Sequence, residues 1–160
     1  MKKKLLSAVL VLVCILLCGC ASISPKSALK NTMEDFKNSL TENKESDIIT
    51  QVYGENFSYK IGKVTKEDKN ASVEISVTTI DVYDLQARAI AACGEAPEKQ
   101  NEWINDALKK GDYKKNTLTA LVPMLYENGK WDIDPAGDLF DFSNAITGGF
   151  GESLFQGTGE

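Results

Sequence analysis

The stretch NFSYKIGKVTKEDKNASVEISVTTID, Asn56 to Asp81, decides how the rest of the chain is read. Phe57, Tyr59 and Ile61 alternate with Ser58 and Lys60. After the polar break KEDKN the alternation returns, with Val73, Ile75 and Val77 set between Ser72, Glu74 and Ser76. A period of two sends successive side chains to opposite faces, so each run reads as a strand with one apolar and one wet face. The short polar break makes the two an antiparallel hairpin. From Thr79 to Val82 the apolar positions change from odd to even. A straight strand would then expose one set, and a bulge or a bend of the sheet is expected there.

Upstream of the hairpin the period is helical. Leu29, Met33, Phe36 and Leu40 recur on one helical face after Ser24 and Pro25, an N-cap and first-turn pair, which predicts a helix from about Pro25 to Asn43. A second, short helix begins at Ser46 or Asp47, buries Ile48, Ile49 and Val52, and is expected to stop at Gly54.

Downstream come two more helices and a second hairpin. The stretch from Tyr83 to Cys93 presents Leu85, Ala89, Ala92 and Cys93 on one face and ends at Gly94. The next opens with Glu95, Pro97 and Glu98, buries Trp103, Ile104, Ala107 and Leu108, and closes with Lys109, Lys110 and Gly111. Acid first, base last and glycine after the end suit the helix dipole and the C-cap. Lys115 to Tyr126 and Trp131 to Asp134 then flank Asn128-Gly129, the pair that favours a type I′ turn. Pro123 has no N–H to give to a ladder, so that point needs a sheet edge or a bulge. Beyond Pro135, a short helix is expected to start at Asp138, and the glycine-rich GGFGESLFQGTGE reads as loosely packed or disordered.

The N-terminus has a different character. Lys2, Lys3 and Lys4 precede the apolar run LLSAVLVLVCILL, Leu5 to Leu17, which is shorter than the ~20 residues of a membrane span but suits an export signal. Leu17, Cys18, Gly19 and Cys20 resemble the lipobox of bacterial lipoproteins. That resemblance implies cleavage between Gly19 and Cys20, a diacylglyceryl thioether on Cys20, and palmitate-type acylation. The mature protein would then be anchored to the cell membrane on its extracytoplasmic face, since two acyl chains at about 0.8 kcal/mol per buried methylene hold stably.

Processing would remove the first 19 of 160 residues, leaving 141, enough for one core. The expected divisions are a lipoprotein signal peptide over 1–19, a tether over 20–26, an α+β domain over 27–135 and a partly disordered extension over 136–160. Loss of three lysines takes the formal charge from −5 to −8, because every acidic residue lies downstream. Such a surface repels phosphate backbones, so nucleic acid is not an expected partner. Of the four cysteines, Cys14 and Cys18 leave with the signal and Cys20 is acylated, so Cys93 alone remains as a thiol. Set in AIAAC, it reads as a buried, inert residue.

The fold class that emerges is α+β, with N-terminal helices packed on a strongly bent antiparallel sheet, a cone-like half-barrel. The first helix, the stretch from Asn56 to Asp81 and the terminal ENGKWDID resemble the nuclear-transport-factor-2-like (cystatin-like) superfamily over about Ala28 to Asp134, in particular small lipoproteins of Gram-positive bacteria. That resemblance implies a cone whose mouth can hold a small ligand, and it implies no activity.

The chemistry available is narrow. Histidine is absent, which removes the commonest general base and metal ligand and rules out a Ser-His-Asp triad. Some relatives in the superfamily are ketosteroid-isomerase-like enzymes that use an acidic base and a tyrosine in the cavity. Tyr53, Tyr59, Asp81, Tyr83 and Trp103 are the candidate cavity residues here. The run Asp132 to Ser143 starts like a calcium loop but places Ala136 and Ser143 where ligands belong, so it reads as a capped turn. Asn70-Ala71-Ser72 matches a glycosylation sequon and reads as a hairpin turn. No catalytic residue, cofactor or metal is expected. The sequence points to a lipid-anchored, non-catalytic binding or interaction domain for a small ligand, a cell-wall fragment or a protein partner. The alternatives are a cavity enzyme using Asp81, and an accessory subunit that docks on a membrane complex through Phe150, Leu154 and Phe155.

Overall fold

The computed structural model describes residues 23–42 and 47–149; Gly19, Cys20, Ser46 and residues 150–160 lie outside the described residues. In order the elements are α1 (Pro25–Glu42), α2 (Ile48–Asn56), β1 (Ser58–Glu67), β2 (Asn70–Ile80), α3 (Val82–Cys93), α4 (Pro97–Lys110), β3 (Lys115–Glu127), β4 (Lys130–Ile133) and α5 (Phe140–Ile146). The four strands form one open antiparallel sheet in the order β1-β2-β3-β4. Helices precede this sheet and interrupt it, giving the α+β class expected from the change of period at Asn56.

Both hairpins have two-residue turns. Glu67 pairs with Asn70 around Asp68-Lys69, and Glu127 pairs with Lys130 around Asn128-Gly129. Asn128 and Gly129 have φ of 52° and 84°, the two positive values a type I′ turn requires. Between the hairpins, β2 and β3 pair without interruption from Asn70↔Leu125 to Ile80↔Lys115, with α3 and α4 as the connection.

Alternation then builds the core. Ala71, Val73, Ile75 and Val77 of β2 share a face with Ala120, Val122 and Met124 of β3, and all are buried. Leu29 and Met33 of α1 close over them, with Val52, Tyr53 and Phe57 from α2 and its end. Helix α1 packs on β2 and also reaches both edge strands, β1 and β4. Flat edges would lie about 14 Å apart at the usual strand spacing, and a direct side-chain contact between the two edge strands brings them nearer, so the sheet curls around α1. At the curled end, the Lys66 ammonium of β1 sits 5.2 Å over the Trp131 ring of β4. The convex face is polar by comparison, with hydroxyl pairs Ser76–Thr119 at 2.9 Å and Thr78–Thr117 at 2.8 Å, although Leu121 stands out exposed among them.

The local expectations differ from the structure at several places: Ile49 is exposed and not buried, and Asn70-Ala71-Ser72 opens β2 instead of making the hairpin turn. The bulge falls in β1, between Ile61↔Ile75 and Val64↔Val73, and not at Thr79–Val82. Gly62 is its mark: an added Cβ there would collide with the Glu74 carboxylate. The parity change after Thr79 has another cause, because β2 ends at Ile80 and Asp81 starts α3, so Thr79 and Ile80 are both buried at a strand end. Gly54 does not stop α2, which continues to Asn56. It lies where α2 crosses α1, and a Cβ would stand 3.3 Å from both the Cβ and the carbonyl oxygen of Leu40. Glycine here permits close helix packing.

Pro123 takes the edge solution. Its carbonyl accepts from Asp134 N–H at 2.9 Å, so its missing N–H also faces the β4 side, just beyond Ile133, where β4 ends. The ladder to β2 loses nothing. From there the chain passes Gly137, packed against the Pro123 ring, and returns to the sheet as α5, whose Phe142 and Ala145 enter the core. The helix expected from Asp138 is therefore present from Phe140, and it packs on β2 and β3.

Candidate functional site

The five candidate cavity side chains occupy separate surroundings. Tyr53 is buried in the core and its hydroxyl donates to the Ile146 carbonyl of α5. Burial disfavours the phenolate and pushes its pKa up to about 12. Tyr59 is half-buried on β1 and donates to Glu34 Oε1 of α1 at 2.5 Å. Its pKa is also raised to about 12, first by desolvation and then by the hydrogen bond and charge of Glu34.

Asp81 is the N-cap of α3: its Oδ1 accepts from Asp84 N–H at 2.9 Å, which satisfies one of the donors a helix start leaves free. Tyr83 is 44% exposed on the outer side of the same helix. Trp103 lies on α4, half-buried, with the Arg88 guanidinium of α3 5.1 Å from its ring centre. Trp103 thus belongs to the seam between α3 and α4, whereas Tyr53 and Tyr59 belong to the sheet and the helices over it.

That seam carries a charge network which the sequence did not single out. Arg88 pairs with Asp112 at 2.8 Å and with Asp84 at 3.6 Å, and Lys114 reaches Asp84 at 2.5 Å. The Asp112 hydrogen bond, with the charges of Asp112 and Asp84, raises the pKa of Arg88 further and keeps it cationic. Asp84 and Arg88 are four apart, a spacing that puts both on one helix side, and this was the signal available for it. Asp112 and Lys114 arrive only through the tertiary turn after α4.

Beside the network runs an open groove of about 670 Å³, lined among others by Cys93, Lys99, Glu102, Trp103, Asp106 and Lys110. Cys93 is half-exposed here and not buried as expected. Helix α3 packs mainly on α4, and its last turn extends past the cover, so Ala92 is exposed as well. The thiol lies 3.5 Å from the Lys99 carbonyl, an acceptor and not a base that would activate it. An aromatic face among lysines and carboxylates can recognise a polar ligand through hydrogen bonds and ion pairs.

No group of three or more metal-ligating side chains is placed to hold an ion among the described residues. In the run from Asp132, three carboxylates have a local task. Asp132 pairs with Lys130, Asp134 accepts from Ala136 N–H, and Asp138 accepts from Phe140 N–H ahead of α5. Among the described residues no helix is long and apolar enough to cross a membrane.

No protein-family model and no curated protein matches the chain. Among solved structures, it is similar to a chain from Bacillus subtilis described as a lipoprotein (YcdA), with 13% sequence identity and a TM-score of 0.42. The match covers 78% of this chain and 44% of that one, so the chain spans less than half the length of that protein.

Proposed function

We propose that this is a lipid-anchored, non-catalytic interaction domain, held on the extracytoplasmic face of a membrane through acylated Cys20, which binds its partner on its outer surface. The observation that carries the surface reading is the filling of the concave side. Leu29, Met33, Val73, Ile75, Val77 and Val122, where a cone-shaped ligand site would lie, are at most 1% exposed. Binding then falls to the exterior, and the groove along α4 offers the mix of aromatic and charged groups that a cell-wall fragment or peptide needs. The non-catalytic reading is supported by the present use of the candidate acid and phenol: Asp81 caps α3, and Tyr53 bonds to Ile146.

The test has two arms. With its own signal in a Gram-positive host, the wild-type chain is expected in the membrane fraction and Cys20→Ser is expected to lose the lipid. Soluble wild-type protein would remove the anchor. Soluble cell-wall fragments titrated against isotope-labelled protein should shift the amide resonances around Cys93, Trp103 and Lys110. Shifts confined to the buried strand positions Ile75 and Val77 would place the ligand inside the cone and contradict the surface reading.

A further inference from the structure

We propose that the outward stripe of α3 is a docking surface and that its occupant is this chain's own segment 150–155, an arrangement that goes beyond the partner-binding reading above. Helix α3 turns Leu85 and Ala89 to the core and sets Asp84 and Arg88 toward the seam with α4. Its remaining face carries Tyr83, Ala87, Ile90 and Gly94 at successive spacings of four, three and four, with Ala91 beside them. All five are exposed, Tyr83 at 44% and Ile90 at 47%. A surface helix normally puts charge on its outward side. This stripe has none.

The path of the chain says what covers it. The Gly148 carbonyl accepts from Val82 N–H at 3.1 Å, which ties the end of the described chain to the first turn of α3. A Cβ on Gly149 would stand 3.6 Å from the Cβ of Tyr83, so the chain is delivered at the N-terminal end of the stripe. The residues that follow are FGESLF, with Phe150, Leu154 and Phe155 apolar. From Tyr83 to Gly94 the helix runs about 17 Å at its usual rise. Six extended residues span about 20 Å. A segment delivered at Tyr83 is therefore long enough for Leu154 and Phe155 to meet Ile90 and Ala91.

Hydrogen–deuterium exchange on the full-length protein in nanodiscs tests this arrangement. Peptides covering 150–160 should exchange about tenfold more slowly in the wild type than in Ile90→Glu or Ala87→Glu. Both substitutions are at exposed helix positions, and unchanged circular dichroism verifies the fold. Replacing Phe150, Leu154 and Phe155 with serine should in turn speed exchange across α3. Equal tail exchange in the wild type and both α3 variants overturns the proposal. Tail protection that survives both variants places the segment on lipid, and protection that grows with protein density places it on a second copy; either result overturns it too.

Discussion

Tyr53 joins three parts of the molecule through one side chain. It leaves α2, crosses the core and donates its hydroxyl to the carbonyl of Ile146, the last residue of α5. Tyr53→Phe keeps the ring and removes the donor, so it should cost about 1 kcal/mol at neutral pH, read from the urea midpoint. The pH dependence has a definite sign. Because the folded pKa of about 12 exceeds the ordinary value of 10.0, the stabilisation is complete below pH 10 and declines as pH rises toward 12. Tyr53 should therefore contribute a loss on the order of 2 kcal/mol across that window, a part that Tyr53→Phe lacks while it keeps the part due to Tyr59. Identical alkaline profiles for the two would mean that the Tyr53 hydroxyl is not buried as described.

Helix α3 shows how an element can be legible while the roles of its residues are not. Its limits were readable from Tyr83 to Cys93 with Gly94 after it, and the structure has Val82–Cys93 capped by Gly94 at φ 65°. Asp81, which looked available as an acid for a cavity, is instead the N-cap, a use that Asp before an apolar run foreshadows. Asp81→Ala should lower stability by about 1 kcal/mol, and Asp81→Asn should retain most of it, because both side chains can accept from the Asp84 N–H. A stability loss as large in Asp81→Asn as in Asp81→Ala would show that the carboxylate does more than cap. The hairpin turn at Asn128-Gly129 and the helix α4 ending at Gly111 were equally legible, since local backbone chemistry determines both. Three features were not. The bulge at Gly62, the close crossing at Gly54 and the exposure of Cys93 depend on what lies opposite each residue, and that is a tertiary property. Gly62 inside an alternating run was the one available hint.

At the scale of the whole molecule, an N-terminal helix and a curled sheet enclose a side-chain core, and polar and charged groups lie outside it. Only the Asp84–Arg88 spacing hinted at the seam between α3 and α4, because Arg88, Trp103, Asp112 and Lys114 meet only after the two helices pack. The curl is legible in two hairpins with one wet face each, and the Lys66–Trp131 contact between the edge strands is its structural form. On the proposed reading this domain meets its partner at the surface, and the proposed anchor would keep that surface close to a membrane. The measurement that bears most directly on this account is mass spectrometry of the N-terminal peptide of the protein purified from membranes of a Gram-positive host. The account predicts a first residue of Cys20 carrying a diacylglyceryl group. A chain that begins upstream of Cys20, or at Cys20 with a free thiol, would contradict it.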